Sequence, residues 1–442
     1  MGHLHGVSRA PRPLTAAATS ISLSLLFVVV YGTTSWLASM RPDVGIWYFG
    51  WERYIPFIPW LIVPYMSIDL FFVVAPFLCT DMSELQALRR RMTLAILVAG
   101  AFFVVMPLRF ALPRPETTDW TGPIFRFLYG FDRPTNMFPS LHITIRTILA
   151  DTYSRHSRGV LKTLSNIWFA LIGLSTVLTY QHHVIDVAGG LILALFCYYL
   201  IPERAAEQPV AVNSRIGIYY ALGAALLAGL GAWLEPWGLL LFWPALSLTI
   251  VAGGYFGLYG AITRKEAGRL PISATLLLAP WLIGQRLSLL YYRRQCRPWD
   301  EIASNVWMGR RLNEGEAAEA SAHGVTAVLD VAAEFSEAES FLGLEYLNLA
   351  VLDLTAPAPE QLRAAVDFIT AQREKGVVYV HCKIGYSRSA AVVGAWLLDT
   401  GIANTAEDAV ARMRAVRPSL VVRPESWQAL RDFHRAKRSA AL

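Results

Sequence analysis

The feature that most constrains this chain is a series of long apolar runs that ends near residue 290. A helix that crosses a bilayer needs about 20 mostly apolar residues. Stretches of that kind lie at 14–38, 55–79, 92–112, 162–181, 183–201, 216–234 and 238–261. A shorter one at 139–153 carries polar side chains and is kept for what those side chains are. Charged residues are 16% of the chain and hydrophobic ones 55%, against about 25% charged in ordinary soluble domains. That excludes a disordered chain and argues against an all-soluble one. From about 297 onward charges are distributed as in a soluble domain. The expected fold class is a multi-pass α-helical membrane domain followed by a soluble α/β domain with a central, mostly parallel sheet.

Charge placement sets an expected orientation. The net charge of +6 sits in short Lys/Arg groups between apolar runs, which is the positive-inside pattern and not a nucleic-acid surface. Arg9 and Arg12 precede the first run, Arg89, Arg90 and Arg91 follow the second, Arg155, Arg158 and Lys162 follow the fourth, and Arg264, Lys265 and Arg269 follow the eighth. These alternate correctly for a cytoplasmic N-terminus and leave 113–138 and the turn at His182 on the far side. The stretch 271–290 holds Pro280, Gly284 and Arg286 and reads as an interfacial segment. Arg293, Arg294 and Arg297 then keep the C-terminal domain cytoplasmic. The four cysteines, Cys79, Cys197, Cys296 and Cys382, have no paired spacing, so neither a disulfide framework nor a zinc site is expected. The boundaries that follow are 1–54 for the first helix and loop, 55–201 for a membrane catalytic domain, 202–296 for further helices and linker, and 297–442 for the soluble domain. The linker proper is expected at 202–215.

Within the last of these, strands are expected at 325–330, 346–349 and 377–380 and helices at 359–373, 389–399 and 405–416. The sequence His381-Cys382-Lys383-Ile384-Gly385-Tyr386-Ser387-Arg388-Ser389 lies between a strand and a helix. Backbone N–H groups in that setting form an anion nest at a helix N-terminus. Cys382 is the candidate nucleophile, with its thiol lowered by the helix end and by Arg388. Arg388 suits a bidentate grip on phosphoryl oxygens. His381, Lys383, Gly385, Ser387 and Ser389 complete the phosphate-binding set, Gly385 by permitting the tight loop and Ser389 by bonding the sulfur. Asp353, on a loop after a strand, is the candidate general acid, while Asp330 reads as a strand-end cap. This set resembles the dual-specificity phosphatases of the protein tyrosine phosphatase superfamily over about 300–440, including Asn305-Val306-Trp307-Met308-Gly309 and Arg417-Pro418. The resemblance implies a phosphocysteine intermediate, no metal and no cofactor. Lys383 favours substrates with extra negative charge.

Polar side chains inside apolar runs are costly and point to function. Three groups stand out: Arg109 with Arg114-Pro115, then Pro139-Ser140-Leu141-His142, then Ser175-Thr176 with His182 and Asp186. His182 and Asp186 can share a helix face, so the carboxylate can orient an imidazole that attacks phosphorus. His142 can protonate the leaving oxygen, and Arg109 and Arg114 can hold phosphoryl oxygens. The set resembles the type 2 phosphatidic acid phosphatase superfamily over about 60–200. Its motifs run Lys-x6-Arg-Pro, Pro-Ser-Gly-His and Ser-Arg-x5-His-x3-Asp. Here Pro107 stands where the first lysine is expected, Leu141 replaces the glycine and Thr176 the arginine. The last two resemble the inositol phosphorylceramide synthase branch. Fewer cations suit a phosphodiester, with one charge, better than a terminal monoester. The rival is plain hydrolysis with Arg109 and Arg146 supplying the charge. Arg146 can equally pair with Asp151 or Asp186, and Asp69 is a further charge in the second run without an assigned role.

The sequence thus leads to a bifunctional integral membrane enzyme of phospholipid metabolism, with phospholipid or lipid-phosphate substrates, in the inner (plasma) membrane. The alternative is a membrane-anchored protein phosphatase in signalling, acting on phosphoproteins, with the membrane half as anchor or lipid sensor. No nucleic-acid partner is expected.

Overall fold

The computed structural model describes residues 10–131, 135–203, 212–234 and 237–440. Arg9 and most of the expected linker 202–215 lie outside the described residues. The chain divides into two compact units, Met1–Ala205 and Ala206–Leu442.

The first unit is helical: α1 Pro13–Ser39, α2 Ile62–Val74, α3 Met82–Val105, α4 Gly122–Phe131, α5 Leu141–His156, α6 Gly159–Leu178 and α7 Val184–Leu200. Its core is built from Met92, Ile96 and Phe103 of α3, Ile148 and Leu149 of α5, Phe169 and Ile172 of α6, and Leu193 and Cys197 of α7. Leu25, Leu70, Leu97, Leu164 and Leu174 are exposed on the outside. Such a surface, apolar within and without, is what a bilayer requires. Five helical stretches of the described residues are long and apolar enough to cross a membrane: Pro13–Ser39, Pro59–Phe77, Gly159–Leu178, Ser214–Trp233 and Trp237–Tyr255. The polar run expected at 139–153 forms α5, and its Ile148 and Leu149 are fully buried. The run expected at 92–112 forms α3 instead, which starts earlier because Asp81 caps it by accepting from the Glu84 N–H at 2.9 Å. Arg91 therefore lies inside a helix, bonded to the Ile201 carbonyl at 2.9 Å.

The second unit opens with α8 Ser214–Trp233 and α9 Phe242–Tyr255, then α10 Ile272–Leu277 and α11 Ala279–Tyr292. The stretch expected at 271–290 is thus two helices, with Pro280 in the first turn of the second. A five-stranded sheet follows, made of β1 Trp299–Ala303, β2 Val306–Arg310, β3 Val325–Ala332, β4 Glu345–Val351 and β5 Val377–Cys382. Their spatial order is β1-β2-β5-β3-β4. Only the β1–β2 pair is antiparallel; β5 lies centrally, parallel to both β2 and β3. The remaining helices are α12 Glu314–Ala322, α13 Glu339–Leu342, α14 Pro359–Gln372, α15 Ser387–Asp399, α16 Ala406–Val416 and α17 Pro424–Ala440.

Side-chain alternation sends the two faces of β5 to different layers. Val378 and Val380 pack with α14, α15, α16 and α17, around Trp396, Val410, Met413 and Leu430. Tyr379 packs the other way, with Ala317 and Ala320 of α12 and Phe341 of α13. Covering both faces is what a parallel sheet needs. It leaves the C-terminal end of β5, where Cys382 sits, open to a loop and the start of α15.

Candidate active sites

The loop after β5 is held by close backbone packing. Gly385 has φ of 73° and lies against β2, where an added Cβ would stand 2.4 Å from the Gly309 carbonyl. Only glycine satisfies both the left-handed backbone and the contact. Cys382 pairs in register with Arg310 of β2, and α15 begins five residues later, so its N-terminus faces the sulfur. Burial alone would raise the Cys382 thiol. Arg388 opposes this, as do the Ser389 hydroxyl and the N–H groups of Ser389 and Tyr386. The net shift is downward, toward a thiolate.

Arg388 is 2% exposed. Its Nη1 and Nη2 donate to Glu334 at 2.9 and 2.6 Å, and Nη1 also donates to the Val351 carbonyl at 2.7 Å. Its Nη2 reaches the Asp353 carboxylate at 3.2 Å. Lys383 Nζ bonds the other Asp353 oxygen and donates to Gln285 Oε1 at 3.0 Å. Burial raises the Asp353 carboxyl, but the Arg388 and Lys383 cations outweigh it and hold the group below the usual carboxylate range. Asp353 is therefore ionised in the free protein. To carry a proton it must lose those cations to a bound dianion, which competes for the same two groups. The arrangement can support attack of Cys382 on phosphorus, with Arg388 on two phosphoryl oxygens and Asp353 beside the leaving oxygen.

Two side chains of the expected phosphate-binding set face elsewhere. His381 points to the opposite face of the sheet from the core of α15, stacks on Tyr379 at 5.4 Å and pairs with Glu337 at 2.6 Å. Burial lowers His381, but Glu337 and Asp330 raise it to about 8. Ser387 Oγ bonds Ser426 Oγ at 2.9 Å and accepts the Arg423 N–H at 2.8 Å, which ties the loop to α17. Asp330 is more than a strand-end cap. It is fully buried, bonded to the Lys265 ammonium and to Tyr346 at 2.6 Å. Ligand atoms of Asp330, Glu337 and His381 lie within 4.8 Å of one another. Lys265 already supplies the counter-charge that a metal would bring.

In the helical unit the second and third histidine motifs converge. The Ser140 N–H donates to the Asp186 carbonyl at 3.0 Å, and Ser140 Oγ caps α5. The close approach depends on Gly190, where a Cβ would stand 2.5 Å from the Ser140 carbonyl. His182 Nδ1 lies 3.5 Å from Asp186, whose same oxygen accepts the His183 N–H at 2.9 Å. His142 stacks on Tyr65 at 4.2 Å, and its buried Nε2 has no hydrogen-bond partner among the described residues. His142 and His182 both line a cavity of ≈ 350 Å³, together with Tyr65, Asp69 and Asn136. Asp69 thereby shares a cavity with the two histidines.

The expected cations are not brought in. No lysine or arginine is among the described residues lining the cavity. Arg109 is exposed. Arg114 donates to the Tyr180 carbonyl at 3.2 Å and lies over the Tyr129 ring at 4.7 Å. Thr176 turns back on its own helix, bonding the Gly173 carbonyl at 2.8 Å. Arg146 pairs with neither Asp151 nor Asp186 but donates to the Phe169 carbonyl at 2.5 Å. Asp151 instead pairs with Arg155 at 2.9 Å. His183 is a cross-tie, 2.9 Å from Glu52 and accepting the Ala111 N–H at 3.1 Å.

Sequence reasoning did not find Glu334, Glu337, Gln285 or Glu52. Their partners are distant in the chain, and only strand alternation, which sets His381 with Tyr379, gave a usable signal.

Two families meet in this chain. Residues 90–207 match the PAP2 superfamily, and residues 306–436 match the dual specificity phosphatase catalytic domain. One chain thus carries both matches, the PAP2 region ahead of the dual specificity phosphatase region. The human phosphatidylglycerophosphatase and protein-tyrosine phosphatase 1 is 36% identical over 96 residues, covering 21% of this chain and 47% of that protein. The phosphatidylglycerophosphate phosphatase PTPMT2 of Arabidopsis thaliana is 28% identical over 148 residues, covering 32% and 64%. The chain spans about half the length of the first of these relatives. A crystal structure of PTPMT1 matches at 25% identity, covering 33% of this chain and 99% of that one, with a TM-score of 0.29.

Proposed function

We propose that this protein is an integral membrane enzyme of phospholipid metabolism with two phosphoryl-handling sites. The soluble site hydrolyses a lipid phosphomonoester. Cys382 attacks phosphorus, Asp353 protonates the departing alkoxide and then deprotonates the water that cleaves the phosphocysteine, and Ser389 bonds the departing sulfur. The observation that carries this is the single cluster of Cys382, Arg388, Asp353 and Lys383. Lys383 adds a cation beyond the one a monoester needs, which suits a lipid with a second phosphate such as the phosphatidylglycerophosphate of the relatives' names. Both the N-terminus and the phosphatase domain lie on the cytoplasmic side of the inner membrane, within the boundaries 55–201, 202–296 and 297–442.

The helical site takes a phosphodiester lipid. His182 attacks phosphorus to form a phosphohistidine, Asp186 stabilises the imidazolium, and His142 protonates the leaving oxygen. A cavity with a carboxylate and without a described cation suits a monoanion, so head-group transfer fits better than release of inorganic phosphate.

The full chain purified in detergent is the material for the test. Phosphate release is measured from phosphatidylglycerophosphate and from a phosphotyrosine peptide, with Cys382→Ser and His182→Ala beside the parent. Lipid turnover should exceed peptide turnover by about tenfold or more in kcat/KM and vanish in Cys382→Ser. Turnover of the peptide alone would overturn the lipid assignment in favour of signalling. Phosphate release that depends on His182 would overturn the transfer assignment.

A further inference from the structure

The acid-bearing loop 352–355 is fastened to the helix pair α8–α9. Tyr255, the last residue of α9 and 1% exposed, donates its hydroxyl to the Asp353 carbonyl at 2.7 Å. Asn213, the N-cap of α8, donates Nδ2 to the Leu354 carbonyl at 2.8 Å. The same side chain accepts the Ile216 N–H through Oδ1 at 3.4 Å, so one amide joins the start of a helix to the loop. Asn213 and Tyr255 are joined in turn, N–H to carbonyl, at 3.0 Å. Leu354 has φ of 60°. A leucine holds that left-handed conformation only where its surroundings impose it.

A second arm comes from α11. Trp281 Nε1 donates to the Tyr220 hydroxyl at 3.1 Å, and Tyr220 stacks on Tyr255 at 5.5 Å. Gln285, one turn further along α11, takes the Lys383 ammonium whose other bond is to the Asp353 carboxylate. Backbone and side chain of Asp353 are thus held from the same group of apolar helices. Asn213 and Tyr255 sit at the same end of the antiparallel pair, and both helices belong to stretches apolar enough to cross a membrane.

We propose that the α8–α9 pair is a working part of the phosphatase site, with Tyr255 and Asn213 as positioning residues that aim the Asp353 carboxyl at the leaving oxygen. This rests on Asp353 being the general acid. The helices anchor the chain and set the acid's geometry at once, which places the soluble site at the membrane end of the pair and suits a lipid head group as substrate.

The test is the dependence of kcat/KM on the leaving group, because an acid matters for an alkoxide and little for a nitrophenolate. Full-length Tyr255→Phe, Asn213→Ala and Asp353→Asn variants in detergent are assayed on dodecyl phosphate and on p-nitrophenyl phosphate. The positioning variants should lose about tenfold on the alkyl substrate and no more than about twofold on the aryl one, with Asp353→Asn losing more in the same direction. Tyr255→Phe keeps the ring and its packing and decides the matter should Asn213→Ala fold poorly. An unchanged alkyl-to-aryl ratio in Tyr255→Phe, with the ratio altered in Asp353→Asn, overturns the positioning role. A ratio unchanged in Asp353→Asn as well overturns the acid assignment, and the inference with it.

Discussion

Glu334→Gln tests how the catalytic arginine is held. Glu334 and Arg388 are both buried, with side chains 0% and 3% exposed, and share two bonds at 2.6 and 2.9 Å. Removing one partner of a buried pair costs about 3–5 kcal/mol, because the other charge stays desolvated. Glutamine keeps one acceptor, and a retained hydrogen bond returns about 1 kcal/mol. The net loss expected is ~2–4 kcal/mol. At about 2–4 °C per kcal/mol for a unit of this size, the midpoint should fall by roughly 5–15 °C. The freed guanidinium also has Asp353 at 3.2 Å and the Val351 carbonyl at 2.7 Å to turn toward, so kcat/KM should drop about 10- to 100-fold. Thermal inactivation of the full chain in detergent, read by p-nitrophenyl phosphate hydrolysis, gives both numbers. A midpoint within about 1 °C of the parent and an unchanged kcat/KM would refute the claim that this carboxylate fixes the arginine.

Gly385→Ala should abolish Cys382-dependent phosphate release while leaving the helical unit intact, since its Cβ would meet β2 backbone at 2.4 Å; retained turnover would contradict the packing. His381 is raised to about 8 by Glu337 and Asp330. A raised pKa stabilises fully below the unfolded value near 6.5, and the stability is lost as pH rises through about 8, by about 2 kcal/mol. His381→Gln should flatten that stretch of the stability-versus-pH curve, measured by urea unfolding; a curve still falling between those values points to another group. His182→Ala and His142→Ala should each spare p-nitrophenyl phosphate hydrolysis and remove head-group transfer between lipids, followed by radiolabel exchange.

The soluble domain was legible where its signals are local. A β-branched run before His381-Cys382 gave β5; Arg388 of the loop after it and Asp353 of the loop after β4, read separately, come within 3.2 Å. The β1–β2 hairpin lacks a strong two-residue alternation and emerges from the pairing of β2 with β5, whereas α17 carries a helical repeat in Trp427, Leu430 and Phe433, which pack with the α15 core. His381 was misplaced because motif membership was read without the two-residue alternation that sets it beside Tyr379. In the helical unit the His182–Asp186 spacing pointed to the start of α7, where the two side chains lie 3.5 Å apart. The fate of Arg109, Arg114 and Arg146 was invisible, because where each long side chain settles is decided only by the fold. Asp69 and Tyr65 lie ahead of the 90–207 family match and still line the cavity.

Lys265 has a practical consequence. It lies between α9 and α10, outside the 306–436 family match, yet its ammonium is 1% exposed and closes the charge of Asp330 deep in the sheet, with a further bond to the Ala332 carbonyl at 3.1 Å. A fragment cut at the homology boundary would leave a sealed carboxylate pair facing one histidine. Such a fragment should express poorly or precipitate, and the fault would lie in the choice of cut and not in the catalytic domain. Anyone excising this enzyme for crystallisation or screening should begin upstream of residue 265, and accept the apolar segments that come with it.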